Sequence, residues 1–276
     1  MFLQRLDQAH ALIRDEQLRA PQAPALEVRQ EAPPALLVLL AALDRAQHFA
    51  RARRYVLQCD IVQFFPSVDH RILGAQLAHH IACPQTLRLI DHILASGEGV
   101  LRDHYTMVYF PGDDLWAAAR PRGLPIGNLT SQNWANWYLN ALDQFVKHDL
   151  KCRAYLRYCD DFLLFAGDKA VLWRWRREII DVLAALRLTM HTERAQVYPA
   201  ADGIPWLGFR IFPTHRRLLR RNVKAFMRRF RAQRDAFHRG ELSPEDVRRS
   251  LDAWIAHASH GDTYRLRRRL FREVTF

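Results

Sequence analysis

Three aspartates in this chain of 276 residues have the type and spacing needed to bind divalent metal ions. Asp160 and Asp161 are adjacent and lie between two short apolar runs, which predicts the tip of a β-hairpin. Asp60 ends another apolar run far earlier in the chain. Carboxylate oxygens are the ligands that Mg²⁺ prefers, and two or three of them with substrate phosphates suffice to hold the ion. The sequence therefore predicts that these side chains converge on one pair of metal ions.

Two metal ions at such a site would suit phosphoryl transfer. Ions about 3.5 to 4 Å apart can activate a hydroxyl nucleophile and stabilise the leaving group. That chemistry depends on positioning and charge neutralisation, and it needs no protein nucleophile. An Asp-Asp pair alone is weak support, because aspartate is favoured in turns for its own backbone hydrogen bonds. The prediction depends on its combination with Asp60, the aromatic pair Phe64-Phe65 and a glycine-containing turn at residues 123–127.

The elements that position Asp60 are predicted from the apolar pattern around it. Residues 35–53 have helical apolar spacing without helix breakers, and residues 54–60 are rich in β-forming residues. The following stretch ends the strand, and Ser67 or Asp69 is expected to cap the next helix. Asp60 is therefore expected at a strand end that a ligand can reach.

The elements around Asp160 and Asp161 are predicted in the same way. Residues 96–122 indicate a long hairpin or loop, and the glycine turn after it leads into a helix with apolar residues at helical spacing. The two strands of the hairpin are residues 154–158 and 162–166. Beyond them we expect a helix capped by Asp168, a strand or turn over residues 204–212, and helices capped by Asn222 and by Ser243.

The basic charge is concentrated at the end of the chain. The net charge is +12 and the isoelectric point is near 10.1. Residues 216–276 contain 17 Lys and Arg against 7 Asp and Glu, a net of +10. Arginine-rich helix faces are often simply solvated. The functional alternative is a surface that follows a phosphate backbone, with binding that weakens steeply as salt is added.

Composition excludes several other classes of protein. With 49% hydrophobic and 25% charged residues, the chain is typical of globular proteins rather than disordered or fibrous ones. Its four cysteines form no C-x-x-C pair and have no zinc-like spacing, which favours a reduced, cytoplasmic setting. The longest apolar stretch is too short to span a bilayer, and the N-terminus lacks the pattern of a signal peptide.

Some residues that could belong to a site are better explained by packing. His257 and His260 make a poor metal pair on a basic helix. The tryptophans at positions 134–175 are expected to build the core. Cys59 and Cys159 each precede a candidate metal ligand, and strand alternation would turn them away from it. We therefore expect both cysteines to be small buried hydrophobes.

Four motifs, taken in order, resemble those of reverse transcriptases. They look like motifs A, B, C and E of that family. The matching residues are Asp60-Ile61-x-x-Phe64-Phe65-Pro66-Ser67-Val68-Asp69-His70, then Gly123-Leu124-Pro125-Ile126-Gly127-Asn128-Leu129-Thr130-Ser131-Gln132, Tyr158-Cys159-Asp160-Asp161 and Trp206-Leu207-Gly208-Phe209. The resemblance covers about residues 36–275. The Ile-Gly-x-x-x-Ser-Gln form of the second motif is similar to bacterial enzymes of diversity-generating retroelements and related groups.

The resemblance implies a role for each matching residue. Asp60, Asp160 and Asp161 would be catalytic and, with the Ile61 carbonyl, would bind two Mg²⁺ ions, for which Mn²⁺ can substitute. Arginine at position 194 replaces the lysine usual in motif D, and it can neutralise phosphate charge but does not readily give up a proton. Nucleotide-binding residues would be Phe65, a steric gate against the ribose 2′-hydroxyl, with Ile126, Gly127, Gln132 and Arg194. Primer- and template-binding residues would be Tyr158, Gly208, Lys224, Arg228 and Arg231.

The resemblance also implies an α+β fold, with the antiparallel sheet and helices of a right-hand polymerase palm followed by a helical thumb. We expect an abbreviated or truncated fingers region over residues 1–50, the palm over 51–213 and the basic thumb over 214–276. The family places fingers motifs before motif A, and none can be matched in residues 1–34. A shortened N-terminal region is therefore an expectation for this chain.

The implied function is RNA-directed DNA synthesis from a primer 3′-hydroxyl. Partners would be an RNA template, a DNA or RNA primer, dNTPs and an accessory protein of a retroelement, without a membrane. In the retroelement group an apolar residue at the position of Ile126 accompanies low fidelity, so error-prone copying is a further hypothesis. The alternative is a catalytically weak or inactive relative that binds RNA as a maturase does.

Overall fold

Helices and short antiparallel strands alternate through the part of the chain that the structure describes. The computed structural model describes residues 34–272, with side chains described from position 37 to position 271. The helices are α1 Pro34–Ala52, α2 Phe64–Ser67, α3 His70–Ala78, α4 Pro84–Ser96, α5 Leu129–Tyr138, α6 Asn140–Gln144, α7 Lys169–Ala185, α8 Arg220–His238, α9 Pro244–Ser259 and α10 Tyr264–Arg272. The strands are β1 Tyr55–Cys59, β2 Tyr155–Tyr158, β3 Asp161–Ala166, β4 Val197–Pro199, β5 Ile204–Trp206, β6 Phe209–Ile211 and β7 Arg216–Leu218.

The larger sheet determines where the predicted metal ligands lie. Its strands are antiparallel in the order β2-β3-β1-β4. Tyr55 pairs with Ala166 and Cys59 pairs with Phe162. This register brings the C-terminal end of β1 beside the N-terminal end of β3, where the β2–β3 turn also lies. Strand ends that are remote in sequence therefore lie side by side at one end of the sheet.

Both faces of this sheet are covered, which explains why residues 162–166 of β3 are all apolar. Leu57 and Phe162 lie in a core cluster with α3 to α7, whereas Val56 and Leu163 lie in a second cluster with α1, α8 and α9. Successive residues of a strand point to opposite faces, so a strand packed on both sides needs apolar residues at every position. The strand is thereby rigidly held just beyond the candidate site.

A second antiparallel sheet, in the order β5-β6-β7, precedes the C-terminal helices. Its first turn is Leu207-Gly208, with φ values of 46° and 88°. Two consecutive positive φ values are typical of the type I′ turn, which suits a two-residue hairpin. Helices α8 and α9 pack together through Phe226 and Trp254, whose rings stack at 3.9 Å.

The mixed α and antiparallel β class predicted from the sequence is confirmed. The strand before Asp60, the hairpin before and after Asp160, and the caps Asp69, Asp168 and Ser243 are also found. Residues 96–122 form a loop with two short helical turns, Arg102–His104 and Leu115–Ala119. The prediction for residues 1–33 lies outside the described part of the chain.

One local prediction is wrong. Asn222 does not cap α8, which begins at Arg220 after Leu219 in extended conformation. The Asn222 side chain instead donates to the carbonyl of Gly208 at 3.2 Å. The helix predicted after the glycine turn is found, with a break at Leu139 and a π-helical turn, Phe145–Asp149, at its end.

No helix within residues 34–272 is long and apolar enough to cross a membrane.

Candidate catalytic site

The three aspartates lie at adjoining ends of β1, β2 and β3. Asp60 is the residue after β1, and Asp161 is the first residue of β3. The last pair of the two strands, Cys59 and Phe162, lies directly next to both aspartates in the chain. Asp160 belongs to the two-residue turn between β2 and β3, whose flanking residues Tyr158 and Asp161 are paired. The fold thus brings together acids that the sequence separates widely.

Their negative charges affect one another. Burial, then the charges of Asp60 and Asp160, raises the pKa of Asp161 to about 6. Burial and the charge of Asp60 also raise the pKa of Asp160. Removal from water and a nearby like charge both disfavour ionisation of a carboxyl group. The site therefore carries excess negative charge that a cation would relieve.

The loop after α7 brings basic groups to Asp60. The guanidinium Nη1 of Arg194 lies 3.5 Å from Asp60 Oδ2, and His191 Nε2 lies 3.9 Å from the same oxygen. The backbone N–H of His191 donates to the Asp60 carbonyl at 2.9 Å. Arg176 of α7 fixes this loop, because it donates to the carbonyls of Thr192 and Ala195 at 2.8 and 3.0 Å. Sequence reasoning identified Arg194 but missed His191 and Arg176.

The three aspartates offer the oxygen ligands that a hard divalent cation prefers, but their side chains do not enclose a metal position. Among the side chains of the described residues, no group of three or more His, Cys, Asp and Glu is arranged so that it could hold a metal ion. The convergent acids offer only oxygen ligands, and burial, followed by the charges of Asp60 and Asp160, raises the pKa of Asp161. Mg²⁺ commonly takes one or two protein carboxylates and completes its shell with water and substrate phosphates. One or two of Asp60, Asp160 and Asp161 at each ion would match that pattern, with Ile61 next to Asp60 in the chain.

Ile61 is buried and its backbone is held in place. It forms an isolated antiparallel bridge with Met190, and the neighbouring Val62 N–H donates to the Thr189 carbonyl at 2.8 Å. The backbone beside Asp60 is therefore fixed to the segment that ends at His191.

The other residues predicted to bind nucleotide lie in α2, in the glycine turn and in α5. Phe65 lies in α2, half-buried, with its ring 5.4 Å from that of Phe64 in an edge-on arrangement. Its carbonyl accepts from the Leu124 N–H at 2.9 Å, which ties the glycine turn to the segment after Asp60. Gly127 has φ of 109°, a conformation that favours glycine. Ile126 and Gln132 are also exposed.

The residues predicted to bind primer and template lie on three elements. Tyr158 is half-buried at the end of β2, and Gly208 lies in the β5–β6 turn. Lys224, Arg228 and Arg231 are exposed on α8 with spacings of four and three residues, so they share one face of the helix. These three basic side chains are therefore exposed to solvent, where a polyanion could contact them.

The prediction for the two cysteines is half right. Cys59 is buried, and burial raises the pKa of its thiol. Cys159 is exposed, because it lies in the β2–β3 turn with φ of 55° rather than within a strand. Strand alternation does not apply to a turn residue, which is why the sequence argument failed there.

An ion-pair network around the buried Asp69, missed by sequence reasoning, fixes the loop between α4 and the glycine turn. Asp69 caps α3 through the N–H groups of Arg71 and Ile72. The same carboxylate accepts from Arg120 at 2.6 and 3.0 Å. Arg187 lies 3.5 Å from Asp69 and also pairs with Asp113 at 2.5 Å. Asp69 therefore links a helix start to the long loop.

Gln58 connects β1 to the second sheet. It lies two residues before Asp60, on the same face of the strand. Its Nε2 donates to the Pro205 carbonyl at 3.0 Å, and its Oε1 accepts from the Tyr198 hydroxyl at 2.9 Å. A hydrogen bond from this side chain partly offsets the rise in the pKa of Asp161.

Comparison with known proteins agrees with the motif order. Residues 1–211 match the family model described as reverse transcriptase (RNA-dependent DNA polymerase). Protein YkfC of Escherichia coli strain K12 is 25% identical over 191 residues, which cover 57% of this chain and 47% of that protein. The chain thus spans about half the length of this curated relative. The family match begins at residue 1, so it includes the segment in which no fingers motif could be recognised.

Proposed function

The chain belongs to the reverse transcriptase family, and we propose that it extends a primer 3′-hydroxyl with dNTPs on an RNA template. The observation that carries this proposal is the register of β1 with β3, which ends at the Cys59–Phe162 pair and so brings the neighbouring Asp60 and Asp161 to adjoining strand ends, next to the turn that holds Asp160. In this proposal residues 51–213 form the palm and residues 214–276 the basic thumb. The abbreviated fingers region, residues 1–50, remains a prediction.

The residues of the site would act mainly by holding charge and position. Asp60, Asp160 and Asp161, with the Ile61 carbonyl, would hold two Mg²⁺ ions. Bound there, the ions would supply activation of the primer hydroxyl and stabilisation of the pyrophosphate. Arg194, within ion-pair distance of Asp60, would neutralise phosphate charge. Gly127 would let the backbone approach the nucleotide closely, because glycine has no side chain to obstruct it.

Phe65 is proposed as the gate that selects deoxyribose. Its half-buried ring is braced by Phe64, so it would present a fixed surface to the sugar. We predict that Phe65→Val raises rNTP incorporation relative to dNTP by about 10- to 100-fold, the range expected when a pocket gains room for one small group. Single-nucleotide extension with matched rNTP and dNTP measures the ratio. An unchanged ratio in an active variant would exclude the gate.

Primer extension on an RNA template tests the proposed activity directly. With Mg²⁺ or Mn²⁺, the wild type should extend a labelled primer, and the double variant Asp160→Ala plus Asp161→Ala should not, while both bind RNA. Asp181→Ala removes an exposed acid of α7 and serves as the matched control, with wild-type extension expected. RNA binding without extension by the wild type would reject the proposed activity.

A second candidate is an RNA-binding protein without polymerase activity. Two observations favour it: no group of three or more possible metal ligands is arranged around one position among the described residues, and Asp60 already pairs with the positive charge of Arg194. The basic C-terminal region would supply the RNA affinity. The same extension assay separates the two candidates.

Membership of the diversity-generating group is a finer proposal, supported by the form of the motif around Ile126. The Ile126 side chain is 73% exposed, so it is free to contact a templating base. Error-prone synthesis would follow, and sequencing of products from a defined template tests it. An error rate equal to that of an accurate polymerase would contradict this assignment.

A further inference from the structure

Arg157 of β2 forms a largely buried ion pair behind the catalytic hairpin. Its Nε and Nη2 donate to the two carboxylate oxygens of Asp143 at 2.8 and 2.6 Å. The side chains of Arg157 and Asp143 are only 10% and 18% exposed. The Tyr155 hydroxyl donates to the same carboxylate at 2.8 Å. A bidentate pair of this kind fixes the plane of the guanidinium as well as its position.

The remaining nitrogen of that guanidinium reaches the turn that carries the aspartates. Arg157 Nη1 donates to the Cys159 carbonyl at 3.0 Å and to Asn136 Oδ1 at 3.1 Å. Cys159 has φ of 55°, in the left-handed region that side chains other than glycine rarely occupy. Such a conformation persists where surrounding contacts impose it. The described contact that holds the Cys159 carbonyl comes from Arg157.

We propose that Arg157 is a positioning residue that fixes the Cys159–Asp160 turn against α5 and α6, and thereby the directions of Asp160 and Asp161. Asp143 orients the guanidinium of Arg157. The Nη1 group of Arg157 then donates both to Asn136 and to the Cys159 carbonyl in the turn. The catalytic consequence rests on the proposed function, whereas the structural consequence does not. Asp60 follows β1 and makes none of these contacts with Arg157.

Lysine cannot replace arginine in this arrangement. The clamp needs two donors toward Asp143 and a third, at a fixed angle, toward the Cys159 carbonyl. An ammonium group has no such planar fork, although it keeps the positive charge opposite Asp143. Arg157→Lys therefore removes the geometry of the clamp and retains its charge. Arg153→Lys, at an exposed position just before β2, is the matched control.

Hydrogen–deuterium exchange tests the structural part without metal, substrate or activity. In Arg157→Lys we expect the peptide over residues 157–162 to exchange at least about tenfold faster than in the wild type, with the β1 peptide unchanged. Asp143→Asn should accelerate the same peptide, and the double variant should add little to either single change, since both break one clamp. Unchanged exchange of this peptide in Arg157→Lys would overturn the proposal, as would equal acceleration in Arg153→Lys.

Kinetics test the catalytic part. At saturating dNTP, Arg157→Lys should lower the extension rate about 10- to 100-fold, because small misplacements of reacting groups are costly. RNA affinity measured in EDTA should change by less than about twofold, since the basic side chains proposed to contact phosphate are unchanged. Faster exchange with a wild-type extension rate would reject the positioning role. An inactive wild type that still shows the exchange difference would instead reject the proposed polymerase activity and leave the clamp standing.

Discussion

Individual charges decide what the candidate site can bind. Asp160 and Asp161 have raised pKa values because they are half-buried beside Asp60. Arg194 offsets part of that negative charge but is itself exposed, so a substrate phosphate can compete for it. Burial and like charges make ionisation of these carboxyl groups costly. A bound cation would stabilise their ionised form.

Asp161→Asn should stabilise the metal-free protein at neutral pH. The pKa of Asp161 is about 6 in the folded chain, above the ordinary value, so the folded state binds the extra proton. Its contribution to stability is therefore lost as the pH rises from about 4 to 6. After allowance for solvent screening, we expect a gain of about 1–2 kcal/mol at pH 7.5 and almost none at pH 4.

Urea unfolding in EDTA at the two pH values measures this gain. Added Mg²⁺ should stabilise the wild type more than the variant, because the amide is a weaker ligand. An unfolding free energy that is unchanged or lower in Asp161→Asn at pH 7.5 would show that the ionised Asp161 carboxylate does not destabilise the folded protein.

The convergence of the three candidate aspartates was predictable from the sequence, and the contacts that support them were not. Asp60, Asp160 and Asp161 stand out by type and by position at strand ends. Arg157 and Asp143 do not, because an ion pair between a strand and a helix leaves no local pattern. Cys159 was misjudged since a turn residue is not subject to strand alternation.

At the scale of elements, the pairing of β1 with β3 creates the site. Each strand was predictable from its apolar run, and the hairpin from the turn between them. The sequence predicted that the aspartates converge but not that β1 pairs with β3, because local patterns do not specify which remote strands meet. The interruption of the helix at Leu139 was also invisible, since the apolar spacing continues through it.

Asp69 should matter far more to stability than an ordinary helix cap. Asp69→Ala removes the cap of α3 and leaves Arg120 and Arg187 without their shared carboxylate, so we expect a loss of about 3–5 kcal/mol. Asp168→Ala removes the exposed cap of α7 and should cost about 1 kcal/mol. Chemical denaturation of both variants measures the difference. Equal losses would mean that the buried network contributes nothing beyond capping.

At the scale of the whole molecule, charge separates the sheet region from the C-terminal helices. Residues 216–276 hold +10 of the net charge of +12. Lys224, Arg228 and Arg231 form an exposed row on α8. Backbone neutralisation by such a row releases counterions and makes binding salt-dependent.

Removal of that row should reduce the salt dependence of RNA binding. For the triple variant Lys224→Ala, Arg228→Ala and Arg231→Ala, we expect the slope of log Kd against log salt to fall by about 2, since each phosphate contact contributes about 0.7. Filter binding across a KCl series measures the slope. A triple variant at Lys147, Arg153 and Arg177 removes the same charge from exposed sites elsewhere and should change the slope by less than about 0.5. Equal changes in the two variants would show that α8 is not the phosphate-binding face.

The central claim is that Asp60 and Asp161, remote in sequence, form one metal-dependent site for nucleotide transfer. Single-turnover incorporation of one dNTP on an RNA template tests it with Asp60→Asn, Asp161→Asn and the double variant. We predict that each single change lowers the rate by at least about 10³-fold and that the double variant is no more than about threefold slower than the worse single one, because groups that act as a unit are not additive. A wild-type rate in Asp60→Asn would contradict the claim.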